Sequence, residues 1–257
     1  MKSGHDNFST FFEINLKSNI PNIFIHGVGL DNTMWKPQKN YLESISCVYY
    51  DLLNHGKSKK GNKNLNFEDF NNQIINLTNY INVKKFNIIG FSLGALIAQH
   101  FCVNYPDKVN KLILIASVFS RNSQQKLKVK NRYKECLDGK NISDNSIKRW
   151  FNQEYLEANP SVYNYFLKIL NQNNSKDFLS AYKLFVESDK YKINFSNIKI
   201  PTLIMTGKND IGSTTEMSYK LSEKINKSTV YIVKNTKHMA SYEKKDIVND
   251  KILQFIK

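Results

Sequence analysis

The residues Phe86-Asn87-Ile88-Ile89-Gly90-Phe91-Ser92-Leu93-Gly94-Ala95-Leu96-Ile97 read as a short strand, a sharp turn and the opening of a helix. The run 86–89 suits a buried parallel strand. After it, Leu93, Leu96, Ile97, His100 and Phe101 recur at three- and four-residue spacing, which predicts an amphipathic helix. Between them stands Gly90-Phe91-Ser92-Leu93-Gly94, a G-x-S-x-G pentapeptide in the strand-turn-helix context that gives it meaning. A Cβ two positions before or after the serine would collide with the turn, so Gly90 and Gly94 have a steric reason to be there. Ser92 is therefore expected in strained backbone geometry, its hydroxyl thrust into the open as a candidate nucleophile.

Similar β-branched or aromatic runs occur at 22–25, 47–50, 112–115, 202–205 and 230–233, and most are separated by segments of helical period. Phe67, Phe70, Ile74, Leu77 and Ile81 mark one such helix. Strand alternating with helix predicts a doubly wound, mostly parallel α/β sheet with its ligands beyond the carboxyl ends of the strands. The rhythm breaks between about 119 and 195, where helical stretches at 124–137, 144–157, 161–171 and 176–188 follow one another without a strand. Residues 1–118 and 196–257 are thus expected to form the core, and 119–195 an all-helical cap inserted over it. The aromatics Trp150, Phe151, Tyr155, Tyr163, Tyr165 and Phe166 either line a pocket beneath that cap or pack its helices together.

A serine hydroxyl becomes nucleophilic when a base takes its proton and a third group orients that base. His238 is the only histidine beyond residue 100, and it follows the last strand run in Asn235-Thr236-Lys237-His238-Met239. Asp210, in Gly207-Lys208-Asn209-Asp210, falls at the carboxyl end of the run 202–205, which makes it the candidate acid. Asp189 and Glu187 sit instead at the end of the helical insertion. Acyl transfer also needs donors aimed at the developing oxyanion. The backbone N–H of Leu93 follows the nucleophile, and that of Val28 lies in the loop His26-Gly27-Val28-Gly29 after the first core strand, where two glycines let the chain turn inward.

These segments, with Trp35, Asp51-Leu52-Leu53-Asn54-His55-Gly56-Lys57-Ser58 and Tyr105-Pro106-Asp107-Lys108-Val109, resemble an α/β-hydrolase over nearly the whole chain except the cap. Within that family the overall style is similar to enol-lactone hydrolases and small carboxylesterases. The resemblance implies a serine hydrolase of a small ester or lactone, with Ser92, Asp210 and His238 as its triad and no metal or organic cofactor. It also implies that His26 and His55 brace loops. Trp35, Trp150, Phe151 and Met239 are the candidate pocket residues. The same three catalytic residues serve C–C bond hydrolysis, acyl transfer and perhydrolysis, and a non-catalytic ligand receptor on this fold is a reading from another class. Haloalkane dehalogenation would need a carboxylate where Ser92 stands.

Composition narrows the remaining classes. The 257 residues, 41% hydrophobic, suffice for a large core. The longest apolar run, 112–116, is far short of the ~18–20 residues of a membrane span. The polar start Met1-Lys2-Ser3-Gly4-His5-Asp6 suggests no export signal, and three scattered cysteines, Cys47, Cys102 and Cys136, suggest neither disulfides nor a zinc site. A cytoplasmic monomer or homodimer is expected. The net charge of +15 comes almost wholly from dispersed lysines; Arg121, Arg132 and Arg149 are the only arginines, so a specific nucleic-acid surface is not expected. The densest basic stretch, 126–134, reads as a solvated helix face.

Overall fold

Chain order and spatial order part company in the sheet, and the point where they part is where a site can form. The computed structural model describes residues 1–172 and 175–257. Its strands are β1 (Lys2–His5), β2 (Phe11–Asn15), β3 (Asn22–Ile25), β4 (Cys47–Tyr50), β5 (Phe86–Phe91), β6 (Val109–Ile115), β7 (Thr202–Gly207) and β8 (Ser228–Val233), arranged β1-β2-β4-β3-β5-β6-β7-β8. β1 with β2 and β2 with β4 are antiparallel, and every other neighbouring pair is parallel. After β3 the chain moves out to β4, then crosses back to lay β5 on the other flank of β3. The crevice at that reversal opens at the carboxyl ends of β3 and β5, where residues 26–29 and Ser92 emerge.

Helices α1 (Lys36–Tyr41), α2 (Phe67–Tyr80), α3 (Leu93–Asn104), α9 (Thr215–Ser222), α10 (Ala240–Glu243) and α11 (Lys245–Ile256) accompany the strands. Successive strand residues point to opposite faces, which sorts the core into two layers. Ile23, Ile25, Ile88, Leu112 and Leu114 meet Phe70 and Ile74 of α2 and Ile97 and Phe101 of α3 on one face. Phe24, Ile89, Ile113, Ile115 and Met205 meet Trp35 and Val248 and Ile252 of α11 on the other. Each such side chain stabilises by ~1.5–3 kcal/mol when buried. A one-residue slip in register would exchange the faces and forfeit this burial. The buried side chain of α3 is not confined to the expected stripe: Gly94, Ala95, Ala98 and Cys102 are buried as well, so this helix is packed nearly all round.

Between β6 and β7 come α4 (Ser123–Leu137), α5 (Ser143–Trp150), α6 (Gln153–Ala158), α7 (Pro160–Gln172) and α8 (Ser175–Glu187). The span expected to form a cap, 119–195, includes residues 173 and 174, which lie outside the described residues. The stretch 144–157, expected as one helix, is two. Phe151 and Asn152 are extended, and Asn152 Nδ2 donates to Glu243 Oε1 (2.5 Å) and to the Asn235 carbonyl (2.8 Å), which docks the break against the chain after β8. The antiparallel strands β1 and β2 were not expected either: β1 is polar and largely exposed, and only the first two residues of β2 are buried, so neither carries a long alternating pattern. Among the described residues no helix is long and apolar enough to cross a membrane.

Candidate active site

Ser92 has φ 54° and ψ −112°, a left-handed conformation that side chains other than glycine rarely adopt. It is held there by the covalent demands of a strand that turns directly into a helix, and by its N–H donating to the Ile115 carbonyl of β6 (2.9 Å). Nothing larger than hydrogen fits at the flanking glycines. A Cβ on Gly90 would lie 2.2 Å from the Gly94 carbonyl oxygen, and one on Gly94 would lie 2.3 Å from that of Ile25. Gly27 brings the loop after β3 against this turn: a Cβ there would stand 2.9 Å from the Phe91 ring and 3.2 Å from Ser92 Cβ. Gly29, at φ 77°, reverses the chain just beyond. The intervening Val28 N–H makes no backbone hydrogen bond among the described residues. Leu93 N–H occupies the first helical position, where no carbonyl one turn earlier is available to it. The Leu93 side chain itself points into the core.

The two loops beyond β7 and β8 are locked together. Lys208 N–H donates to the Val233 carbonyl and Asn209 N–H to the Thr236 carbonyl, both at 2.8 Å. Gly207 permits that closeness, since a Cβ would lie 2.0 Å from the Lys237 carbonyl oxygen. The result places Asp210 Oδ2 2.6 Å from His238 Nδ1. The other oxygen, Oδ1, accepts from Gly212 N–H (2.8 Å) and Ser213 N–H (3.0 Å), and Ser213 Oγ donates to the Ala116 carbonyl (2.7 Å). A carboxylate so held is acceptor to three donors and keeps the imidazole in one orientation, with Nε2 left to face elsewhere. The His238 ring packs on Phe91, centroids 4.9 Å apart.

Below the site, His26 Nε2 accepts from Leu52 N–H (2.9 Å) and its Nδ1 donates to the Gly27 carbonyl (2.8 Å). His55 Nε2 accepts from Gly29 N–H (3.0 Å) and its Nδ1 donates to the Leu53 carbonyl (2.9 Å). Both rings are fully buried and neutral, their pKa values pushed down to about 4 and about 3 by burial. They brace the loop that carries Val28. Asp51 fixes the neighbouring turn by accepting from the N–H of Asn32 and of Lys57, each at 2.8 Å, and burial raises its pKa. His100 stacks on Phe67 with centroids 3.7 Å apart, remote from the site. Asp189 pairs with Arg121 (3.0 Å) and Glu187 with Lys190 (2.7 Å), so neither competes with Asp210.

Val28, Ser92, Asp210 and His238 border one cavity of about 500 Å³, enclosed on its far side by α4, α5, α7 and α8. Trp150 lines it, its ring centroid 6.3 Å from that of His238. Trp35, Phe151 and Met239, expected in the wall, are not there. Trp35 is fully buried against Phe24 and Phe91, Phe151 stacks on Tyr155 and packs at a tilt against Phe166, and Met239 is fully buried, donating its N–H to the Trp150 carbonyl (3.0 Å). Residues not anticipated in the wall include Val129, Arg132, Arg149, Tyr182 and Phe185. Most of 126–134 is a solvated face as expected, but Val129 and Arg132 turn inward. The helical phase of α4 held that signal, since Val129, Arg132 and Cys136 are spaced by three and four. Cys136, also in the wall, stays a thiol, burial having pushed its pKa up to about 11. Among the described residues no three His, Cys, Asp or Glu side chains gather as a metal ion would require.

Known proteins share this architecture. The chain is 28% identical to the (E)-2-((N-methylformamido)methylene)succinate hydrolase of Acinetobacter baylyi, covering 89% of this chain and 87% of that one. To 3-oxoadipate enol-lactonase 2 of the same organism it is 22% identical over 88% and 85% of the two chains. An enol-lactonase structure from Burkholderia xenovorans superposes with a TM-score of 0.85 at 19% identity, covering 99% of both chains. The esterase of Thermogutta terrifontis gives 0.86 at 19% identity over 100% of this chain and 98% of that one. The model of the alpha/beta hydrolase fold family matches residues 23–245, and the chain belongs to that family.

Proposed function

We propose that the protein is a serine hydrolase of a small carboxylic ester or lactone. Ser92 Oγ attacks the acyl carbon while His238 Nε2 takes its proton, and Asp210, on Nδ1, fixes the ring and stabilises its cation. The tetrahedral oxyanion is held by the N–H groups of Val28 and Leu93, a kind of donor whose loss typically costs ~3–4 kcal/mol of transition-state stabilisation. Collapse breaks the acyl–oxygen bond, the leaving alkoxide takes the proton from His238, and the acyl group stays on Ser92. His238 then deprotonates a water that attacks the acyl-enzyme; the acid is released and Ser92 recovers its proton.

The observation that carries this reading is the Asp210–His238 pair at 2.6 Å bordering the same cavity as Ser92, which is held at a positive φ of 54°. Relatives named as a succinate-derivative hydrolase and an enol-lactonase support the acyl class. Turnover of a short-chain nitrophenyl ester and labelling by an organophosphonate probe test it. Both should vanish in Ser92→Ala with the melting temperature retained; normal turnover and labelling by that variant would overturn the assignment.

A further inference from the structure

Arginine is scarce in this chain and gathered in one place. Three of the 37 basic residues are arginines, and all three border the cavity that holds Ser92. Arg121 reaches it from the loop after β6, Arg132 from α4 and Arg149 from α5. With Lys128 and Lys140, five basic residues of the wall face one acidic residue, Asp210. That carboxylate is already engaged by His238 and two backbone N–H groups.

The three arginines are not equivalent. Arg121 is built into the fold: Nη1 donates to the Phe185 carbonyl (3.1 Å), Ser188 Oγ (3.1 Å) and Asp189 Oδ2 (3.0 Å), tying the loop after β6 to the end of α8. Arg132 and Arg149 are half-buried, and among the described residues neither has a carboxylate within ion-pair distance. Arg132 interacts with the Tyr182 hydroxyl, and its Nε is buried without a hydrogen-bond partner. Arg149 immediately precedes Trp150, whose ring centroid lies 6.3 Å from that of His238, and both residues border the cavity that holds Ser92. Burial first, and then repulsion from Arg132, push the Arg149 pKa down to about 10, which still leaves it charged at neutral pH. Two partly desolvated cations facing one space with no ion-paired carboxylate are costly, and a ligand that brings an anion relieves that cost. The guanidinium fork matches the two oxygens of a carboxylate.

Taking Ser92 as the nucleophile, as proposed above, we infer that the acyl substrate carries a free carboxylate, gripped by Arg132 and Arg149 while its scissile carbonyl lies at Ser92. Val118, Val129 and Leu170 supply apolar wall for the carbon chain between the two ends. A neutral ester of equal length fills the same space but leaves both cations uncompensated.

Because the chain holds only three arginines, the site can be mapped without any variant. Phenylglyoxal modification of the wild-type protein, read by peptide mass, should occur at Arg132 and Arg149 and spare Arg121. Glutarate should slow modification at both by about fivefold or more, and pentane-1,5-diol should not. In kinetics, the wild type should prefer 4-nitrophenyl hemiglutarate over 4-nitrophenyl valerate by about tenfold or more in kcat/KM. That ratio should collapse in Arg149→Gln and Arg132→Gln, chiefly through KM, with partial return in Arg149→Lys. An active wild type with no preference and no glutarate protection overturns the carboxylate site and leaves the Ser92 assignment standing. Glutarate protection at both arginines in a protein that turns over no ester and takes no phosphonate at Ser92 upholds the carboxylate site and sinks the nucleophile. If the variants fail to fold, protection in the wild type decides alone.

Discussion

Asp210 Oδ2 and His238 Nδ1 lie 2.6 Å apart although 28 residues separate them, and the contact is fixed from both sides. The acid loop donates two backbone hydrogen bonds to the end of β8 and the loop after it, Lys208 N–H to the Val233 carbonyl and Asn209 N–H to the Thr236 carbonyl, which ties the two loops together. The pairing is thus a property of adjacent strands β7 and β8, whose ladder runs from Thr202 opposite Ser228 to Gly207 opposite Val233 and delivers both loops to the same edge.

Asp210→Asn should separate chemistry from architecture. The amide preserves volume and one acceptor but removes the charge and offers N–H where Nδ1–H must be accepted, so the imidazole loses its orientation. We expect kcat for a nitrophenyl ester to fall by about 10²–10⁴-fold, as removal of a triad carboxylate does elsewhere. Thermal unfolding should shift little, because Gly212 and Ser213 can still donate to the side-chain oxygen. A loss in kcat of less than tenfold would remove Asp210 from the relay.

Gly90→Ala tests the turn itself. Its added Cβ would sit 2.2 Å from a backbone carbonyl oxygen, and a peptide group anchored in α3 cannot swing away as a side-chain tip can. The expected destabilisation is more than about 3 kcal/mol, above the ~1–3 kcal/mol of ordinary overpacking in a core. Chemical denaturation of any soluble fraction measures it. Gly139→Ala is the contrasting position: a Cβ there meets nothing within 4 Å, so only the cost of its φ of 79° applies, and the loss should be far smaller.

The contrast between those glycines also shows what the sequence could and could not disclose. Gly90 and Ser92 were legible because the turn's sterics act within five residues; Gly94 was legible from the same pentapeptide, although the atoms that exclude its Cβ are the Ile25 and His26 carbonyl oxygens at the end of β3. The strands β3 to β7 were legible because burial on both faces leaves continuous apolar runs, and β8, half-buried at the sheet edge, because Val230–Val233 is a β-branched and aromatic run. His238 was legible because no other histidine lies beyond residue 100. Trp35, Phe151 and Met239 show the limit: an aromatic or methionine beside a site and one beneath it have the same composition, and only packing against Phe24, Phe166 or Trp150 tells them apart. Arg132 lies inside a lysine-rich stretch whose charge pattern speaks for solvent, and the turn of α4 that points it inward is expressed only through its spacing from Val129 and Cys136.

Acid should weaken the fold through His26 and His55. Both rings are fully buried, each accepts a backbone N–H at Nε2, and their centroids are 5.2 Å apart, so a proton on either breaks a hydrogen bond and charges the interior. Their pKa values in the folded chain are pushed down to about 4 and about 3, whereas an unfolded histidine titrates near 6.5. Between those limits the unfolded chain binds more protons than the folded one, so stability rises with pH there. The contribution is fully present above pH 6.5 and is lost as pH falls toward 4, at up to ~1.4 kcal/mol per pH unit for each ring. Urea midpoints measured at pH 7.5, 6.5, 5.5 and 4.5 should be level across the first pair and fall steeply across the last two steps. A flat profile down to pH 4.5 would mean that these rings accept protons in place, and the loop carrying Val28 would then not depend on their neutral form.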